Sequence, residues 1–454
     1  MLINGEIKQN YVLKAVSKNH NIAEFEDETS AYSIFNHEMK SYNIVMEEKL
    51  NGDEFFRAVS EFIAKQSKHA FAIDLDSFTS VVAKEDWNSL VSILVSAVEY
   101  GSVTPWSADT NCKAKPQHNV LIKDEKLAKL AEEALVVAED RTFARKLQDM
   151  PSNLMVPGKF VEEMKEHFAG IKNVTIKVLE RKELEEKGLN LLVGVGQAAN
   201  VEADQPRLMI VEYHGNPEDQ SQNLGFVGKG VCFDTGGSNV KPGPHMRWMK
   251  YDMSGAAIVG STIHALAKNE VKVNAVAVMP LVLNLMDSNA QRPDDVVVSY
   301  NGISVEIDNT DAEGRLILAD AITYAIRDLK VSQVVDVATL TGAMIYCLGE
   351  TYTGVWASTE ELWSESATAA QEAGELIWRL PFHHDFKDLL KSKYANIANS
   401  VSDIRGGSSR AAMFLKEFTE DMPYGHFDIA GTGDKGHTGT GVMVSTFYNM
   451  AKNK

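Results

Sequence analysis

The chain has 454 residues, 44% apolar and 24% charged, with a formal net charge of −18, the composition of a soluble globular protein with room for two domains. The acidic balance argues against a general binder of phosphate backbones, so nucleic acid is not an expected partner. No stretch approaches the roughly 18 apolar residues of a membrane helix, "MLINGEIKQNYVLKAV" at the N-terminus lacks the apolar core of a signal peptide, and Cys112, Cys232 and Cys347 show neither CxxC nor zinc spacing, which together set the expectation of a cytoplasmic protein without a disulfide framework.

In chain order, "HAFAIDLDSF" (69–78) reads as a strand, "WNSLVSILVSAVEYG" (87–101) as an amphipathic helix and "NVLIKD" (119–124) as a short strand. Residues 1–124 are therefore expected to form an α/β domain, without a phosphate loop or a cluster of catalytic residue types. A long helical pattern follows over 125–150 and is stopped by Pro151; it is the expected connector to a second domain, 151–454. There "VTIKVL", "RLMIVEYHG", "NLGFVGKGVCF", "KVNAVAVMPLV" and "VSQVVDVATL" alternate with helical segments such as "GAAIVGSTIHALAK" and "RLILADAITYAIRDL". Continuous β-branched runs joined by helices predict a mostly parallel central sheet covered on both faces. In such sheets, sites form where loops leave the carboxyl ends of strands.

The polar chemistry concentrates in three stretches. "VGKGVCFDTGGSNVKPG" presents Lys229, Asp234 and Lys241 after an apolar strand, and "MKYDMSGAA" places Asp252 just before a helix of small residues. "NTDAEGRL" (309–316) sets Asp311, Glu313 and Arg315 at alternate positions, the period of an extended strand, so their side chains are expected on one side. Taken alone, Asp252 fits a helix N-cap, the "GKG" lacks the rest of a phosphate loop, and His383 and His384 fit a surface or packing role. Taken together, four carboxylates in one pocket repel each other unless counter-charged, and two divalent cations supply that charge. Oxygen-rich ligation suits Zn, Mn, Co or Mg.

This set of motifs, with "ATLTGAM", "GSSRAAMFLKEF" and "HFDIAGT" further on, resembles the leucine aminopeptidase (cytosol aminopeptidase) family of two-metal peptidases from about residue 145 to the end. The resemblance implies a smaller N-terminal and a larger catalytic α/β domain, a homohexamer built as a dimer of trimers, and peptide substrates. It implies that Lys229 and Asp252 ligate one metal, that Asp311 ligates the other, and that Asp234 and Glu313 are shared. Lys241 would polarise the scissile carbonyl, Arg315 would hold a bicarbonate ion acting as general base, and a water between the metals would be the nucleophile. Met249, Thr339, Gly342 and Ala430 would line a small apolar pocket for a Leu- or Met-like side chain. The segment "VLNLMDSNAQRPDD" (282–295) departs from the family's usual glycine-containing loop, which bears on substrate preference. A two-metal phosphoesterase, or a member with a secondary DNA-binding regulatory role, are the competing readings.

Overall fold

The computed structural model describes all residues except 6–10, 19–26, 31–32, 37–39, 67, 220 and 404. The chain divides into two compact units, Met1–Thr142 with Thr368–Leu376, and Phe143–Ala367 with Ile377–Lys454. The boundary falls inside the long helix Glu125–Asp149 rather than at either of its ends, so the expected connector is shared between the two units.

The first unit is built on a seven-stranded sheet. Leu2–Ile3, Asn119–Leu121, Phe71–Asp74, Tyr11–Ser17 and Ser41–Met46 run parallel in that spatial order, and Ser33–Asn36 and Asp27–Ser30 add antiparallel strands at one edge. Helix Gly52–Lys65 starts at Asn51, whose side chain accepts from the Glu54 N–H, and it buries Phe55, Val59, Phe62 and Ile63, one face at helical spacing. Helix Trp87–Ser102 forms where its pattern predicts it. The run 69–78 is a strand only over Phe71–Asp74; Leu75–Thr79 is a short helix whose Leu75 and Phe78 are buried. Apolar spacing alone does not separate the two states over so short a stretch.

The second unit contains a nine-stranded sheet. Its centre is parallel, in the order Tyr424–Asp428, Gln333–Ala338, Asn223–Gly228 and Asn274–Asn284. Arg207–His214 and Val174–Leu179 extend one side antiparallel, and Thr353–Ala357 pairs antiparallel on the other, followed by Ile377–Arg379. The sheet is thus parallel in the middle and mixed at its margins. Helices Ser254–Lys268 and Gly314–Arg327 pack on it, and almost every residue of both is buried.

The run 223–233 is not one strand. Asn223–Gly228 and Gly230–Asp234 are separated at Lys229. The neighbouring strand Asn274–Asn284 pairs with the first piece through Val278 and with the second from Leu281. Met279 and Pro280 face the break, so Pro280 lacks its N–H where no ladder bond is made on that side. Proline in a central strand is tolerated only at such an irregularity.

Candidate metal centre

Lys229 leaves the sheet at this break. Its backbone N–H donates to the Val337 carbonyl and its carbonyl accepts from the Ala256 N–H, which fixes the residue between a strand and the start of the Ser254–Lys268 helix. Its side chain enters a buried cluster: Nζ lies 2.7 Å from Asp252 Oδ1, 2.9 Å from Glu313 Oε1 and 3.0 Å from the Thr339 carbonyl. Gly314 makes this approach possible, because a Cβ there would stand 2.4 Å from Lys229 Cε.

The acids arrive from separate elements. Asp234 ends the strand Gly230–Asp234 and Asp252 sits in the 3-10 turn Met249–Met253. Glu313 holds the N-cap position of the helix Gly314–Arg327. Asp252 does not cap the following helix: Met253 occupies that position, and no side chain caps it. The expected extended strand through 311–315 is absent. Asp311 lies in a turn, Glu313 already has helical φ and ψ, and Arg315 is inside the helix. Alternation over three polar residues is too short to outweigh the helical apolar pattern that starts at Leu316.

Asp234, Asp252 and Glu313 each offer an oxygen within 4.8 Å of the others, and all three are buried. Asp311 is joined to them through Lys241, whose Nζ lies 2.8 Å from Asp234 Oδ2 and 2.5 Å from Asp311 Oδ1. The five expected ligands and Lys241 therefore meet in one place. Further contacts orient them, from Thr339, expected only as a pocket residue, and from residues that the motifs did not single out. Thr339 Oγ1 donates to Asp252 Oδ1 at 2.7 Å, Asn284 Nδ2 donates to Asp234 Oδ1 at 2.7 Å, and the Gly236 N–H donates to the same oxygen at 2.8 Å. Asn239 and Thr310 bond each other in both directions, tying the loop of Asp234 to the turn of Asp311. The sequence sign of Asn284 is an amide that closes the apolar run 275–283.

The electrostatics follow from burial and crowding. Burial pushes the Asp252 carboxyl up to about 6, with Lys229 opposing that rise. Burial and the neighbouring Glu313 push Asp234 well above the usual carboxylate range, and Asp311 rises for the same reasons. Glu313 is also opposed by burial, yet Lys229 and Lys241 hold it down at about 2. Burial disfavours charge on both lysines, but the surrounding carboxylates outweigh it and raise each pKa. The acids are thus counter-charged here by two ammonium groups.

Asp252 Oδ2 is buried and has no hydrogen-bond partner. An orphaned carboxylate oxygen among two further carboxylates suits a divalent cation, which Lys229 would join only by giving up a proton. Arg315 is buried, and its Nη1 donates to the Asn399 carbonyl at 2.6 Å while its Nε is unpartnered. Burial lowers its pKa to about 10, so it stays charged at neutral pH. The expected specificity residues stand around the same strand ends. Met249 opens the turn that carries Asp252, Gly342 begins the helix Gly342–Leu348, and Ala430 packs against the cluster of Met344, Trp356 and Ala412. Thr339 gives its hydroxyl to Asp252. His383 and His384 are exposed on a separate stretch with Asp385.

Residues 142–448 match the model of the cytosol aminopeptidase family, catalytic domain. A probable cytosol aminopeptidase of Mycoplasma pneumoniae is 45% identical over 402 residues, covering 87% of this chain and 88% of the relative. The cytosol aminopeptidase of Encephalitozoon cuniculi is 41% identical over 342 residues, covering 73% and 69%. Among solved structures, the bottromycin maturation enzyme BotP superposes with a TM-score of 0.85 at 25% identity, covering 98% of this chain and 99% of that one, and its complex with Mn gives 0.84. With its lysine, its acids and its arginine gathered at the carboxyl ends of a parallel sheet, and with relatives this close along most of its length, the chain belongs to the cytosol aminopeptidase family.

Proposed function

We propose that this chain is a metal-dependent aminopeptidase that releases the N-terminal residue of peptides, with a leucine-like side chain preferred. The observation that carries the reading is the buried convergence of Asp234, Asp252 and Glu313 on Lys229, with Asp252 Oδ2 unpartnered. Lys229, Asp252, Asp234, Glu313 and Asp311 are the residues that would hold two divalent ions, Zn or Mn, with Co or Mg as further candidates. Such ions, when bound, supply Lewis acidity and lower the pKa of a water shared between them.

The chain's own groups have separate tasks. Lys241 remains an ammonium in the neutral range, so it stabilises negative charge developing on the scissile carbonyl oxygen and does not act as a base. Arg315 presents an unpartnered Nε and a fixed positive charge, which suits it to hold a bicarbonate ion as proton acceptor. Thr339 and Asn284 keep Asp252 and Asp234 in place. Met249, Gly342 and Ala430 bound the space for the substrate's first side chain. Exposed Tyr346, Trp378 and Tyr394 supply apolar surface for the proposed homohexamer, and the expected setting is the cytoplasm. Among the described residues, no helix is long and apolar enough to cross a membrane.

The test is a matrix of metals and substrates. Metal-stripped protein is reconstituted with Zn, Mn, Co or Mg and assayed on Leu-p-nitroanilide, a panel of aminoacyl amides and p-nitrophenyl phosphate. Metal-dependent leucine release is expected. Phosphate release without leucine release would replace this reading with a two-metal phosphoesterase.

A further inference from the structure

A cavity of about 1040 Å³ adjoins the metal centre within the same unit. It is lined by Asn239 and Asn309, neighbours of the turn that carries Asp311, and by Ser408, Ser409 and Arg410. Arg410 is only 5% exposed, and its Nη1 is buried without a hydrogen-bond partner. Its Nη2 reaches the main-chain carbonyl of Asp403, but the Asp403 carboxylate is already held by the Arg405 guanidinium through several contacts of 2.6–3.0 Å. Among the described residues, no carboxylate stands within ion-pair distance of Arg410. A buried guanidinium in that condition is costly unless something anionic completes it.

The serines are placed to help. Ser409 Oγ accepts from the indole N–H of Trp356 at 3.3 Å, so its own proton is free to be donated. Ser408 is tied to Thr341, which in turn donates to Asp428 at 2.6 Å. That chain anchors the first turn of the helix Gly407–Lys416, from which Arg410 projects. Among the described lining residues, the other acid, Asp308, is exposed.

We propose that Arg410 recognises a carboxylate of the substrate on the leaving side of the scissile bond. This rests on the aminopeptidase reading above and adds to it a preference for short or acidic peptides. The guanidinium fork matches a carboxylate with two parallel hydrogen bonds. Two sources of that carboxylate are chemically equivalent: the free C-terminus of a di- or tripeptide, or an Asp or Glu side chain just after the cleaved bond.

The experiment compares matched substrates with and without the charge. Leu-Gly and Leu-Gly-Gly are set against their C-terminal amides, and Leu-Asp-amide against Leu-Asn-amide, for the wild type, Arg410→Met and Arg410→Lys. The wild type is expected to favour at least one carboxylate member in kcat/KM. Arg410→Met should reduce that acid-to-neutral ratio about 10- to 100-fold, as expected for a lost charged hydrogen bond, with Arg410→Lys in between. The ratio is internal to each variant, so it does not depend on the fraction folded, and Arg410→Lys preserves the charge if Arg410→Met does not fold. The pair that responds identifies the source of the carboxylate. A wild type indifferent to the charge in every pair, or ratios unchanged in both variants, would overturn the proposal. Failure of the aminopeptidase reading looks different: the wild type would release no leucine from acids and amides alike.

Discussion

The hydroxyl of Thr339 and the ammonium of Lys229 donate to the same oxygen, Asp252 Oδ1, each at 2.7 Å, and leave Oδ2 as the free face of that carboxylate. Thr339 therefore orients a ligand. Thr339→Val keeps the shape and removes the donor, and groups that hold a ligand from behind typically contribute 10- to 100-fold in metal affinity. Titration of the metal-stripped variant with Mn or Zn should show a loss in about that range. Unchanged affinity would remove Thr339 from this role.

Gly314 tests the packing beneath Lys229. A Cβ at 314 would meet Lys229 Cε and Nζ at 2.4 and 2.7 Å. Gly314→Ala should lower stability by about 1–3 kcal/mol through overpacking and abolish most activity by displacing the amine. Lys229→Ala makes room but also removes a counter-charge from the buried acids, so Gly314→Ala is compared on that background, where thermal unfolding should show little further loss. If Gly314→Ala costs as much beside Lys229→Ala as it does in the wild type, the clash lies elsewhere.

Arg315 separates transition-state chemistry from metal binding. It is not among the proposed ligands, so Arg315→Ala should retain its metal content by elemental analysis. Loss of one positioned electrostatic group typically costs about 10²–10³ in turnover, and the effect should fall on kcat. The wild type should lose activity when bicarbonate is stripped and regain it on addition. A variant that responds to bicarbonate as strongly as the wild type would show that Arg315 does not hold the ion.

His118 gives the first unit an acid limit. It is 1% exposed, and its Nδ1 accepts the Phe71 N–H at 3.2 Å, a bond that only the neutral ring can make through that nitrogen. Burial lowers its pKa to about 4 from an ordinary value of 6.5. The folded-state value is depressed, so the stability it contributes is present above pH 6.5 and is lost as pH falls from there towards 4. The full span is worth about 3 kcal/mol. Chemical denaturation between pH 7 and 4 should show this slope, and His118→Gln should flatten it. Parallel slopes in the two proteins would assign the acid sensitivity to other groups.

Much of this architecture is legible without coordinates because it is written in long periodic runs. The helix Trp87–Ser102 and the strand Val174–Leu179 lie where their apolar patterns place them, and the strongly periodic helices over 254–268 and 314–327 shift by only a residue or two. The site was harder to place locally, since its residues occupy breaks in that periodicity. Lys229 interrupts a strand, Asp311 lies in a turn and Glu313 begins a helix. Local pattern therefore misassigned the backbone at 229 and 311–315, while the motif as a whole still named groups that meet. The orienting contacts of Asn284, Thr339 and Asn399 were invisible for another reason: each joins residues 50 to 87 positions apart. No local signal encodes such a pairing.

The distribution of the centre along the chain has a bearing on biosynthesis. Lys229, Asp252 and Glu313 sit on three different elements, and Asp428, on the strand Tyr424–Asp428 beside Gln333–Ala338, fixes the Leu340 N–H and the Thr341 hydroxyl next to Thr339. A polypeptide emerging from the ribosome therefore carries no complete cutting centre until nearly its last segment has been made. The order of synthesis itself thus withholds the assembled centre from incomplete chains.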